Sequence, residues 1–175
     1  MFDAADFVRC GRDLFVIRSN VTNAAGIEWL RRHLAPEGYR VHEIASRCRQ
    51  PMHIDTTFMP LAPGKVLVNP DHLDVTKLPP ILRGWDVLVA PEPDPIQGRV
   101  LKVTSMCGKW LSMNVLMLDE RRVVVERNQP TTIRAFKDWG FEPIPCAFQH
   151  YAPFGGAFHC ATLDIRRRGA LRSYF

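Results

Sequence analysis

A cysteine follows a pair of glycines in Gly155-Gly156-Ala157-Phe158-His159-Cys160, close to the end of the chain. Glycine allows positive φ and a close approach of backbone to a bound molecule. A thiol becomes a strong nucleophile once a neighbouring cation or base lowers its pKa. The stretch therefore reads as a presented nucleophile, although a Cys beside a His is also how a small buried hydrophobe next to a satisfied imidazole reads. Further weight comes from upstream. Met52-His53-Ile54-Asp55 sets an imidazole and a carboxylate one residue apart, and at the start of a strand the period of two would turn both to the same side. Alone, such a pair also fits a hydrogen-bonded surface contact. Phe2-Asp3-Ala4-Ala5-Asp6 adds two carboxylates beside a turn, where acidic residues are otherwise solvated. Together with Cys160 these residues supply a nucleophile, a general acid/base, a carboxylate to orient it and another for a cationic substrate.

The elements that must position these groups repeat. An apolar strand at residues 14–17 is followed by a turn and cap at 19–23, an amphipathic helix over 24–34 stopped by Pro36 and Gly38, and a strand over 39–45. The second unit has a strand at 65–68, a weak helical stretch over 73–83 interrupted by Pro79 and Pro80, and a strand at 85–90. The third has a strand at 122–126, a helix over 131–139 and an edge-like strand at 141–145 rich in proline. Strands at 56–61 and 110–118 form hairpins into the second and third units, and a strand at 161–165 follows Cys160. The central strands recur roughly every 55 residues, which predicts an α/β fold of about three strand-strand-helix-strand modules packed side by side around an axis. Loops at the starts of the units carry Asp3, then His53 and Asp55, then Cys107 and Gly108, and Cys160 opens the next turn of the pattern.

The chain has 175 residues, 46% hydrophobic and 23% charged, and reads as one domain over 1–175 with a sizeable core. No run approaches the ~18 apolar residues of a membrane span. The opening residues lack the basic start and apolar stretch of a signal peptide. Cys10, Cys48, Cys107, Cys146 and Cys160 are odd in number and form no Cys-x-x-Cys pair, which argues against a disulfide framework or a zinc site and for a reducing compartment. A cytoplasmic protein away from membranes is expected. The net charge of +5 is spread along the chain, and Arg166-Arg167-Arg168 reads as a solvated edge or a set of ion-pair partners, so no nucleic-acid partner is expected.

Phe2-Asp3-Ala4-Ala5-Asp6-Phe7 with Gly11-Arg12-Asp13, then Gly26-Ile27-Glu28-Trp29, Met52-His53-Ile54-Asp55, Lys109-Trp110-Leu111-Ser112-Met113-Asn114-Val115-Leu116, and Phe158-His159-Cys160 with Arg166-Arg167-Arg168-Gly169 resemble the glycine amidinotransferase family, in register over essentially the whole chain. The resemblance implies a partial α/β-propeller of the pentein superfamily, where five such modules surround a central site. It further implies Cys160 as nucleophile, His53 as general acid/base, Asp3 as the carboxylate assisting it, and Asp55 as a ligand of the substrate guanidinium. The implied reaction moves an amidino group from arginine to glycine or a related primary amine through an amidino-cysteine, without a metal or organic cofactor. An arginine deiminase-like hydrolase, with water as acceptor, is the alternative within the superfamily, and the matches over 109–116 and 166–169 favour transfer. A non-catalytic remnant that folds or pairs with another chain is the alternative from a different class.

Three features depart from the family pattern. His72 stands where the family has an arginine suited to the substrate carboxylate, and Cys107-Gly108 where it has two serines. The sequence also resembles only the C-terminal three-fifths of a family member, lacking the modules that precede Phe2. Missing modules would leave apolar faces and strand edges uncovered, which predicts association with a second copy or with those modules. Asp3, two residues from the first, would then need something to tie it down.

Overall fold

The computed structural model describes residues 1–95, 108–168, 170–171 and 173–175. They fall into two compact units, Met1–Val89 with Arg168–Phe175, and Ala90–Arg167.

In the first unit, β1 (Phe7–Cys10) and β2 (Asp13–Ile17) form an antiparallel hairpin, and β2 then pairs in parallel with β3 (Arg40–Ile44). The crossover is α1 (Ala24–Leu34), with the bounds read from the sequence. Its start is fixed because the Asn23 side chain accepts from Gly26 N at 2.9 Å, and its last turn carries Arg31, Arg32 and His33, which complement the helix dipole. Gly38, at φ 78°, ends the 3₁₀ turn that follows. Alternation along β2 splits its side chains between two cores. Val16 packs with Ile27 of α1 and Val41, while Phe15 and Ile17 join Ile44, Ile54, Phe58, Val66 and Val68. Each such large side chain, fully buried, contributes roughly 1.5–3 kcal/mol.

The same unit holds a second sheet of β4 (Phe58–Ala62), β5 (Lys65–Val68) and β6 (Asp86–Val89), again an antiparallel hairpin followed by a parallel pair. The helical stretch expected over 73–83 is instead two 3₁₀ turns, Val75–Lys77 and Pro80–Leu82. Pro79 and Pro80 deny the backbone donors an α-helix needs.

The second unit repeats the plan with β7 (Leu116–Met117), β8 (Arg122–Glu126), α2 (Pro130–Asp138) and β9 (Glu142–Cys146). β8 is central, antiparallel to β7 and parallel to β9. Pro143 and Pro145 are tolerated because β9 is an edge strand. Three sheets of like topology thus bear out the repeated modules, with an opening strand in the first that the sequence reading had not placed. Two expected strands are corrected. Residues 110–118 form a 3₁₀ helix, Lys109–Met113, before the two-residue β7. Residues 161–165 form no strand: the chain turns at Cys160, and Leu163 and Ile165 are 85% and 93% exposed, without the cover that would hold a strand. Arg167 donates to the carbonyls of Leu118 and Met117 and pairs with Asp164, so part of the arginine run ties a loop to β7.

Candidate active site

In the first unit, three short segments converge on His53. Asp3 caps the 3₁₀ turn Ala4–Asp6, its Oδ1 accepting from Ala5 N at 2.9 Å, and its own N–H donates to Thr22 Oγ1 at 2.9 Å. Asn23 N donates to the Met1 carbonyl at 3.2 Å, so this segment is tied to the start of α1. Asp6 is fully buried and takes two hydrogen bonds, from His53 N at 2.8 Å and from Ser19 Oγ at 2.5 Å. Ile54 N donates to the Ala5 carbonyl, a second tether between the same two segments.

These tethers hold His53 in the left-handed region, φ 62°, the only such non-glycine among the described residues. His53 and Asp55 therefore lie on a turn, ahead of β4, and not in a strand. The period-two argument for their common orientation does not apply. What the turn does is bury Ile54 in the core and leave Asp55 6% and Ile54 2% exposed, while the His53 side chain is one-third exposed. Asp3 Oδ2 lies 3.9 Å from His53 Nε2, beyond hydrogen-bond length.

His72 sits on the turn after β5, with Nδ1 3.0 Å from the hydroxyl of Thr57, whose N–H in turn bonds the Ile54 carbonyl. Burial pushes the His72 pKa below its ordinary value, against the opposing pull of Asp71, and so keeps the ring neutral.

The second unit presents Cys160 on a turn, exposed, where Cys10 is buried with its thiol pushed up to about 12 by burial and by Asp13. Gly155 adopts φ 95°, and Gly156 has no room for a side chain: a Cβ there would meet Cys160 Cβ at 2.5 Å and Sγ at 3.2 Å. The positive φ at Gly155 is as the sequence suggested, while the close approach at Gly156 is to Cys160 itself. Beneath the turn Phe158 is buried and stacks on Phe148, centroids 4.7 Å apart.

Asn114 holds this turn, and the sequence reading assigned it no role. Its Oδ1 accepts from Ala157 N and Cys160 N, both at 3.1 Å, its Nδ2 donates to Cys160 Sγ at 3.0 Å, and its carbonyl accepts from Phe158 N at 3.2 Å. The available signal was one polar residue between Met113 and Val115, all three 1% exposed. Gly108 is exposed and caps the Lys109–Met113 helix. Cys107 and Gly169 lie outside the described residues. The first unit thus places Asp3 beside His53, with the buried Asp55 two residues on, and the second holds an exposed thiol against a buried amide donor.

No family model matches the chain. It is 55% identical over 173 residues to the L-arginine:L-lysine amidinotransferase of Pseudomonas savastanoi pv. phaseolicola, covering 99% of this chain and 46% of that protein. The mitochondrial glycine amidinotransferase of Gallus gallus is 51% identical over 178 residues, which cover 99% of this chain and 40% of that one. Among solved structures, SxtG, an amidinotransferase from Microseira wollei in the saxitoxin biosynthetic pathway, superposes with a TM-score of 0.93 at 61% identity, over 100% of this chain and 50% of that one. The chain therefore resembles amidinotransferases from end to end and has their fold, while spanning half or less of the length of each, a smaller share than the three-fifths expected.

Proposed function

We propose that this chain carries the nucleophile, acid/base and guanidinium ligand of an amidinotransferase that moves the amidino group of arginine to a primary amine, glycine or a related one. The supporting observation is the exposed Cys160 on a turn shaped by Gly156 and Asn114, in a chain 51–61% identical to amidinotransferases. In this reading a planar guanidinium, cationic and poorly electrophilic, is held flat by the Asp55 carboxylate. The Cys160 thiolate attacks its central carbon, the bond to the ornithine nitrogen breaks, and His53 delivers a proton to that nitrogen. An amidino group is left on sulfur. His53, now neutral, takes a proton from the incoming amine, which attacks the same carbon as the C–S bond breaks and the thiolate returns. Asp3 compensates the positive charge on His53 whenever it holds the proton.

His72, Cys107 and Gly108 are proposed to contact the rest of the substrate. A neutral His72 makes a weaker carboxylate partner than an arginine, which leaves glycine one acceptor among several. The reaction as written uses no metal or organic cofactor. Arginine and an amine are the proposed partners, together with modules making up the rest of the relatives' length or a second copy, in a cytoplasmic setting.

The test is ornithine release from arginine with and without candidate amines, in the chain joined to the remaining length of an amidinotransferase. Cys160→Ala is expected to abolish transfer, since no other group here carries the covalent step, and His53→Ala to lower it by ~10²–10⁴-fold. Ammonia and citrulline formed from arginine without any amine, in place of ornithine, would favour the hydrolase instead.

A further inference from the structure

We propose that Asn114 is a catalytic residue in its own right: its side-chain amide stabilises the Cys160 thiolate by donating a hydrogen bond to Sγ. This deepens the amidinotransferase reading, in which Cys160 is the nucleophile.

The orientation of the amide is forced by its neighbours. Two backbone N–H groups, of Ala157 and Cys160, meet one end of the Asn114 side chain at 3.1 Å each. Both are donors and cannot accept, so the oxygen must face them and fills its two lone pairs doing so. The nitrogen is left facing Sγ at 3.0 Å, an N–H directed at sulfur. A neutral amide gains more from an anionic acceptor than from a thiol, so the contact favours the thiolate. Asn114 is 1% exposed, which keeps water from competing on that side. Gly156 packs close against Cys160, with no room for a Cβ, while Cys160 itself is exposed. One side chain thus sets the turn with its oxygen and charges the nucleophile with its nitrogen.

The two roles separate in Asn114→Asp. The near-isosteric carboxylate keeps an oxygen for the Ala157 and Cys160 N–H groups but replaces the donor at sulfur with an acceptor. The readout is the rate of iodoacetamide alkylation of the Cys160 peptide, followed by mass spectrometry across pH in the 175-residue chain, with folding checked by near-ultraviolet circular dichroism. The expected result at neutral pH is a loss on the order of tenfold or more in Asn114→Asp, with the rate profile displaced to higher pH. A wild-type rate and profile in the folded variant would overturn the proposal. A second measurement needs no substitution: in the ¹⁵N-labelled native chain the Asn114 side-chain amide resonance should shift with the midpoint of the Cys160 alkylation profile, and an amide indifferent to that titration would also overturn it. Alkylation needs no substrate, so slowed alkylation supports the role of Asn114 even if arginine leaves no adduct, an outcome that counts against amidino transfer alone.

Discussion

Asp6 illustrates how a residue outside the chemistry can fix a residue inside it. Its buried carboxylate accepts the His53 N–H and the Ser19 hydroxyl, and so stabilises a left-handed backbone that costs of order 1–3 kcal/mol. Asp6→Ala leaves both donors unsatisfied, and a loss of about 2–4 kcal/mol in urea-denaturation stability is expected, whereas Asp6→Asn keeps an acceptor and should lose less. Equal stability of all three proteins would contradict this role. Gly156→Ala places a methyl carbon 2.5 Å from Cys160 Cβ, so the turn must shift and alkylation of Cys160 should fall well before the fold is lost. At this scale the turn before Cys160 was legible because the Gly155-Gly156 pair announces a tight backbone. Asn114 and Asp6 were not, since their roles rest on partners 46 and 47 residues away in sequence.

Among the elements, α1 was read to the residue because its signals are local: an Asn cap, an apolar stripe, then Pro36 and Gly38. Residues 110–118 and 161–165 were misread as strands because apolar content alone does not distinguish a strand from irregular backbone. In the former, Trp110, Met113 and Val115 are buried from a 3₁₀ helix and its exit. Gly26, at the start of α1, had no evident purpose in sequence, yet a Cβ there would fall 2.0 Å from the Met1 carbonyl oxygen. Gly26→Ala should therefore release the segment bearing Asp3, seen as faster hydrogen exchange at Asp3 and Asn23; unchanged exchange would contradict it. The first sheet also carries a cluster on a buried carboxylate, with Asp13 bound by the exposed Arg40 at 2.6 and 2.7 Å and by His42 Nε2 at 2.7 Å. Burial pushes the Asp13 carboxyl up, but the hydrogen bonds from Arg40 and His42 outweigh it and hold its pKa below the ordinary value. A depressed folded value means the unfolded chain binds the proton first on acidification. The cluster's contribution is thus full above about pH 4 and lost as pH falls through the folded pKa. Asp13→Asn should flatten the acid limb of the stability curve, and an unchanged limb would show the cluster to be inert.

Across the whole molecule, the repeat was legible in the roughly regular return of a central strand with a polar loop before it. The chain spans 40–50% of the length of the relatives it resembles. Large apolar side chains stand in solvent, among them Phe154 at 77% and Ile165 at 93% exposure. Light scattering of the isolated chain should therefore rise with concentration more steeply than for the chain joined to the rest of an amidinotransferase. The central claim, that Cys160 carries the amidino group, is tested most directly by trapping it. The chain, alone and joined in this way, is incubated with arginine without an amine, quenched in acid and mapped by peptide mass spectrometry. An amidino group on Cys160, matched by released ornithine and discharged when an amine is added before quenching, is the expected result in the joined protein, with a weaker signal from the chain alone. Ornithine release with Cys160 unmodified, or an adduct on another cysteine, would contradict it.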